Sequence, residues 1–159
     1  MRALINLFFS ILIISGAFFP EKTFGQVIKY HFEQLDSLQN RERRTVVIFI
    51  HTDWCKYCHA MQNISLKNMQ NISTLNNYYY FVDLNAEEKK DIKFHGYTFQ
   101  YKPRGRNTGI HELAEQLGSI DGKISYPTMC FLNPQNEIIY QHEGFVDPDT
   151  LLKILERLK

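Results

Sequence analysis

The strongest constraint on this chain is a pair of cysteines two residues apart, set between a buried strand and a helix. Thr45-Val46-Val47-Ile48-Phe49-Ile50 is a continuous apolar and β-branched run, too short for a comfortable helix, and it reads as a buried strand ending near His51. Trp54-Cys55-Lys56-Tyr57-Cys58 follows, and the segment from Cys58 to Met69 is compatible with a helix. At such a junction the two cysteines can close a small-ring disulfide, and the first sits at a helix N-terminus. Unpaired backbone N–H groups and the helix dipole there stabilise a thiolate. These are the physical requirements of a thiol–disulfide exchange site. A ring so small removes little entropy from the unfolded chain, so a purely structural staple is the weaker explanation.

The 159 residues suit one folded domain, and 44% of them are hydrophobic, enough for a core that does not depend on disulfides. The formal net charge is +1, and the basic run Arg41-Glu42-Arg43-Arg44 contains an acid and reads as a solvated helix end. Nothing in this pattern points to nucleic acid. The N-terminus is different material: Arg2, an apolar stretch from Leu4 to Phe19, Pro20, and Thr23-Phe24-Gly25 before Gln26. It reads as a secretory signal peptide, residues 1–25, cleaved after Gly25. The alternative is an uncleaved membrane anchor, for which the run lies at the short edge of a span of about 17–25 residues. No cysteine stands just after the apolar run, which argues against a lipoprotein anchor. Either outcome puts residues 26–159 outside the cytoplasm, in a periplasmic or otherwise exported setting where disulfides persist. The cysteines Cys55, Cys58 and Cys130 form an odd set, which fits a pair plus one leftover better than a structural framework.

Along the chain, Phe32, Leu35 and Leu38 give His31 to Arg44 the spacing of an amphipathic helix. The helix from Cys55 to Met69 offers Met61, Ile64, Leu66 and Met69 as inward positions. Tyr78 to Leu84 is a second strand, aromatic and β-branched. Between about 85 and 125 lies an insert. Ala86 to Lys90 reads as an exposed turn of helix, Phe94 to Tyr101 as a short strand or hairpin arm, Lys102 to Asn107 as a loop, and Thr108 to Leu117 as a helix stopped by Gly118. Thr128 to Leu132 and Glu137 to Gln141 are two further strands, joined by the turn Asn133-Pro134-Gln135-Asn136. Asp147 can cap a last helix with Pro148 at its first position and Leu151, Leu155 and Leu158 on its buried face. The order implies an α/β layer fold with a mixed sheet.

From Phe32 to Lys159 this sequence resembles the thioredoxin-like superfamily, and most of all its exported bacterial thiol:disulfide oxidoreductases, including relatives of the periplasmic disulfide reductases. Three features carry the resemblance in order: Trp54-Cys55-Lys56-Tyr57-Cys58 after a buried strand, Tyr126-Pro127-Thr128 opening the third strand, and the hairpin and terminal helix after it. The resemblance implies a central mixed sheet of four strands or slightly more, flanked by helices, with Pro127 in a cis bond beside the dithiol. It implies that Cys55 attacks a partner disulfide, that Cys58 resolves the mixed disulfide, and that Trp54, Tyr126 and Pro127 bind substrate. Lys56, Tyr57, Asp53, His51 and His59 are candidate modulators. No cofactor beyond the redox-active disulfide is implied. Partners would be exported proteins with cysteines or disulfides, together with an upstream redox protein; the membrane enters only if the N-terminal segment is uncleaved. Reduction of partners is favoured over their oxidation.

The chain departs from the family pattern in several places. Phe49 stands where many thioredoxins keep a buried acid, the partner lysine of the next strand is replaced by Val82 or a neighbour, and Lys56-Tyr57 replaces Gly-Pro between the cysteines. Proton handling for Cys58 must then come from water, Asp53, His51 or His59. Two rivals belong to other classes. Cys55-Lys56-Tyr57-Cys58-His59 is literally a c-type haem attachment motif, although a cytochrome would be mostly helical. His51, Cys55, Cys58 and His59 could instead ligate copper or zinc in a metal carrier, provided that the two histidines converge. Cys130 reads as a core residue. The basic loop Arg104 to Arg106 and the aromatic segment before it read either as a docking ledge or as cover for a sheet edge.

Overall fold

A five-stranded sheet forms the middle layer, in the computed structural model that describes residues 25–159. The signal-peptide or anchor segment lies outside the described residues. The elements run β1 (Lys29–Tyr30), α1 (Phe32–Arg41), β2 (Thr45–His51), α2 (Lys56–Asn63), α3 (Met69–Tyr78) and β3 (Tyr79–Asn85). Then come β4 (Ile92–Phe94), β5 (Tyr97–Phe99), β6 (Tyr101–Pro103), β7 (Gly109–His111), α4 (Glu112–Gly118), β8 (Ser119–Ile120) and β9 (Lys123–Ile124). The chain ends with β10 (Thr128–Leu132), β11 (Ile138–Glu143) and α5 (Pro148–Leu158).

The sheet order is β1-β3-β2-β10-β11. β2 pairs with β3 in parallel and with β10 antiparallel, so the sheet is mixed and β2 is its centre. That is why β2 is apolar on both faces: Val46 through Ile50 are all fully buried. Alternate residues serve two cores. Val47 and Phe49 join Cys55, Cys58, Met61, Ile72, Leu75 and Leu151 on one side. Val46, Ile48 and Ile50 join Phe32, Leu35, Phe94, Leu113 and Cys130 on the other. The dithiol therefore belongs to one layer, and α1, α4 and much of the insert to the opposite one. β1 is a short edge strand that the sequence pattern does not show; it extends the expected four strands to five.

The expected single helix from Cys55 to Met69 is two helices. α2 stops at Asn63, and α3 starts after Asn68, whose side chain accepts from the N–H groups of Gln70 and Asn71. Ser65 is turned inward and its hydroxyl donates to the Val146 carbonyl. The break swings Ile64 and Met69 to the surface, at 52% and 58% exposure, while Met61 and Leu66 remain inside.

Between β3 and β10 the insert comprises three two-stranded ribbons and α4. Ala86 to Lys90 is an irregular turn, not a turn of helix, and Ala86 is buried in it. The expected helix from Thr108 begins only at Glu112, because Gly109 to His111 pair with β6. A Cβ on Gly109 would run into the Tyr101 ring and the Lys102 carbonyl, so close pairing selects glycine there. Gly118 is the last helical residue, not a left-handed stop. A Cβ there would approach Ile124 and Ile50 at 3.1 Å, so its missing side chain lets α4 press onto the sheet. The β10–β11 turn passes through Asn136 at φ 65°, and Asp147 caps α5 through the N–H groups of Asp149 and Thr150. Leu151 and Leu155 are buried on that helix, and Leu158 packs at the margin.

The candidate dithiol site and its family

β2 ends at His51, and the turn that follows folds back on itself, the Cys55 N–H donating to the Thr52 carbonyl at 3.3 Å. Cys55 thereby becomes the N-cap of α2, and its carbonyl accepts from His59 N–H at 3.1 Å. The Cys58 N–H points at Cys55 Sγ, 3.1 Å away. A sulfur at a helix N-terminus with an N–H aimed at it is stabilised in its thiolate form when the pair is reduced. Cys55 and Cys58 are joined as a disulfide. Cys55 keeps 5% of its surface open to solvent and Cys58 keeps none, so an incoming sulfur meets Cys55 first.

The Tyr126–Pro127 peptide is cis, and β10 follows it directly. Gly144 N–H donates to the Pro127 carbonyl at 2.7 Å. Trp54 stands on the surface, 67% exposed, edge-on to the Tyr126 ring at 6.0 Å between centroids. Its indole N–H donates to Glu87 at 3.2 Å. Burial pushes the Tyr126 phenol up to about 12, with the negative charges of Glu87 and Glu115 adding to the shift and Arg104 opposing it. Arg104 is itself paired with Glu115, so the insert's second ribbon brings charge to the rim of the dithiol.

The candidate modulators separate. Lys56 and Tyr57 are exposed, Tyr57 at 68%. Asp53 accepts from the Asn85 side chain at 3.1 Å. The His59 ring nitrogen Nε2 lies 2.8 Å from the Asp53 carbonyl. His51 turns the other way, toward Asp83 Oδ1 at 2.7 Å, and its ring stacks on Phe49. The two histidines do not converge, and among the described residues no group of three or more His, Cys, Asp or Glu side chains is arranged to hold a metal. The α/β fold is likewise not the mostly helical domain that haem attachment would need.

Sequence reasoning missed Asp83, Asn85 and Glu87. All three lie at or just beyond the C-terminal end of β3: Asp83 meets His51 at the end of β2, and Asn85 and Glu87 bond Asp53 and Trp54 of the turn that follows. The signal was present as alternating polar residues at the end of a parallel strand, where α/β sheets place their sites. Parallel pairing puts His51 opposite Asn85 and Phe49 opposite Asp83. Asp83 is therefore the neighbour of Val82 that stands across from the phenylalanine.

No curated protein matches the sequence. Among solved structures, a thioredoxin from Thermus thermophilus superposes with a TM-score of 0.59 at 20% identity, over 83% of this chain and 86% of that one. DsbH oxidoreductase gives 0.56 at 12% identity, over 86% and 89%. The C-terminal domain of Neisseria meningitidis DsbD, in its reduced form, gives 0.52 at 15%, over 80% and 92%. These likenesses show the fold. The family model described as the thioredoxin-like domain matches residues 32–159, which spans both cores, the dithiol and the cis-proline turn: the chain belongs to the thioredoxin-like domain family.

Proposed function

We propose that this protein is an exported thiol–disulfide oxidoreductase that works through Cys55 and Cys58, and that it reduces its partners. One observation carries the exchange chemistry: a Cys55–Cys58 disulfide at the start of α2, with the Cys58 N–H on Cys55 Sγ and a slight opening at Cys55 alone. The DsbH neighbour, described as an oxidoreductase, supports the same class. The apolar N-terminal run supports export, and with it partners among exported proteins that carry cysteines and an upstream donor that resets the dithiol.

In the reducing direction the Cys55 thiolate attacks one sulfur of a partner disulfide. A Cys55–partner bond forms and a partner thiolate leaves. Cys58, one helical turn on, then attacks Cys55 Sγ; the Cys55–Cys58 bond forms and the second partner sulfur departs as a thiolate that takes up a proton. Two electrons pass to the partner, and no bound cofactor is required. Trp54, Tyr126 and the Pro127 segment form the rim against which the partner's chain would lie.

The test is a trapping experiment. Cys58→Ser should accumulate mixed disulfides through Cys55, visible on non-reducing gels of the exported fraction, and Cys55→Ser should accumulate almost none. Equal trapping by both variants would overturn the assignment of roles. The reduction potential decides direction: near about −270 mV the pair is a reductant, near about −120 mV a disulfide donor.

A further inference from the structure

Three carboxylates stand around the aromatic rim of the dithiol, and none of them has an ion-pair partner among the described residues. Glu87 accepts from the Trp54 indole N–H at 3.2 Å. Asp53, the residue before Trp54, accepts from the Asn85 amide at 3.1 Å, and the same Asn85 accepts from the Glu87 N–H at 2.9 Å. Glu143 accepts from the Ser125 hydroxyl at 3.2 Å, and β11 sets it opposite Thr128, the residue after Pro127. Every one of these donors is neutral. It fixes the carboxylate in place and leaves its negative charge uncancelled. The cations are arranged differently. Arg104 is paired with Glu115, and Lys102 with Glu112. Lys56, exposed between the two cysteines, is the one cation next to the dithiol without an ion pair among the described residues. Three carboxylates against one ammonium make the rim acidic.

Resting on the exchange chemistry proposed above, we propose that Glu87 makes this rim selective for partner segments that carry a lysine or arginine beside their reactive cysteine. Trp54 directly precedes Cys55, and Tyr126 directly precedes the cis-proline. A partner cysteine bonded to Cys55 Sγ therefore brings its neighbours in sequence to these two rings. Glu87 reaches both. It bonds the Trp54 indole, and among the charges that act on the Tyr126 phenol it is the largest, second only to burial in raising it. The N–H edge of Trp54 is held while 67% of the residue is open to solvent, so the ring offers a cation an aromatic face beside a fixed carboxylate. The next acid does not share this role: Glu88 turns back on its own loop and accepts from the N–H groups of Lys89 and Lys90.

Glu87 is a specificity-determining residue in this scheme. It touches neither sulfur, and the bonds made and broken in exchange are those already described. Its charge acts on the encounter, so it alters the rate at which Cys55 attacks a given partner. Asp53 and Glu143 extend the same field to either side of the rings, and Lys56 opposes it. Charges in contact with water are screened, so one carboxylate changes a rate only about threefold, and added salt removes the effect. The selectivity comes from the loop after β3 as much as from the dithiol turn, because Glu87 lies two residues beyond the end of that strand.

The test reacts the reduced full-length chain with two disulfide-linked peptides, blocked at both ends and differing only in a lysine or a glutamate beside each cysteine. Dividing the ratio of the two rates by the ratio that mercaptoethanol gives removes the peptides' own difference in reactivity. At about 0.01 M ionic strength the corrected ratio should favour the lysine peptide roughly fivefold to tenfold. At about 1 M, where the screening length is roughly 3 Å, it should approach unity. Glu87→Gln keeps an oxygen for the Trp54 N–H and removes the charge. It should lower the corrected ratio about threefold, slowing the lysine peptide and speeding the glutamate peptide. Glu143→Gln should lower it by less, in the same direction, and it decides alone if Glu87→Gln does not fold. A wild-type ratio at or below unity at low salt would overturn the proposal while leaving exchange intact. So would an unchanged ratio in the deciding variant, including one that slows both peptides equally, as loss of a mere tether would. A wild-type chain that reduces neither peptide would instead overturn the exchange chemistry itself, and this selectivity with it.

Discussion

Three cysteines divide into two chemistries by position alone. Cys55 caps a helix, whereas Cys130 sits in the middle of β10, fully buried, where loss of solvation pushes its thiol up to about 12. A group with its pKa raised that far is almost entirely protonated at pH 8, at roughly one thiolate in ten thousand. The thiolate is the species that alkylates. Reduced native protein treated with iodoacetamide at pH 8 should therefore be labelled first at Cys55, the cysteine with surface open to solvent, and not at Cys130, as read by peptide mass spectrometry, and should take up three labels after unfolding in urea. Label on Cys130 of the native protein would mean that β10 opens far more often than a central strand should. Trp54 illustrates the opposite case. It is large and apolar, yet it stands out from the surface beside the dithiol, held by Glu87. The sequence marked it as a site residue but not as a tethered one, because Glu87 is distant in the chain and adjacent only through the parallel β2–β3 register.

At the scale of elements, β2 and β10 are legible to the residue, because both are continuous apolar runs bounded by polar or turn residues. α5 is legible too, from Asp147-Pro148 and leucines at helical spacing. The α2–α3 break is not. Met61, Ile64 and Met69 continue a helical stripe across it, and what interrupts the helix is tertiary: Ser65 bonds Val146, and Asn71 bonds both the Ser65 and the Pro148 carbonyls at 3.0 Å. Asn71 is fully buried and ties the α2–α3 corner to the start of α5. Asn71→Ala would remove two buried hydrogen bonds, leaving the Ser65 carbonyl only the Asn68 N–H at 3.4 Å, and should cost about 2 kcal/mol, read as a lower urea midpoint at unchanged slope. A cost near zero would mean that water reaches the corner and replaces the amide. The insert was misread for the same kind of reason. His111 is buried and caps α4 through its own ring, and a helix that starts on a histidine after a strand pair carries no strong local signal.

At the scale of the whole molecule, the sheet separates two cores, and that separation has a thermodynamic consequence. The dithiol shares its core with α2, α3 and α5, while the insert is anchored in the other core, where Phe94 of β4 meets Phe32 of α1 edge-on at 5.1 Å. Removing the Phe94 ring should cost about 3 kcal/mol, since the ring is nearly buried and shared between two elements. A reduction potential, however, reports only the difference in stability between the oxidised and reduced forms. A loss suffered equally by both forms cancels from it. Phe94→Ala should therefore lower the unfolding free energy of both forms while moving the Cys55–Cys58 potential by less than about 10 mV. The insert also reaches the dithiol rim by a second route, through Arg104 and Glu115 beside Tyr126, and that route does not pass through Phe94. A shift of more than about 20 mV, equivalent to about 1 kcal/mol for a two-electron couple, would show that anchoring the insert against α1 does hold this rim in place. The insert would then be part of the redox site and not only cover for the sheet.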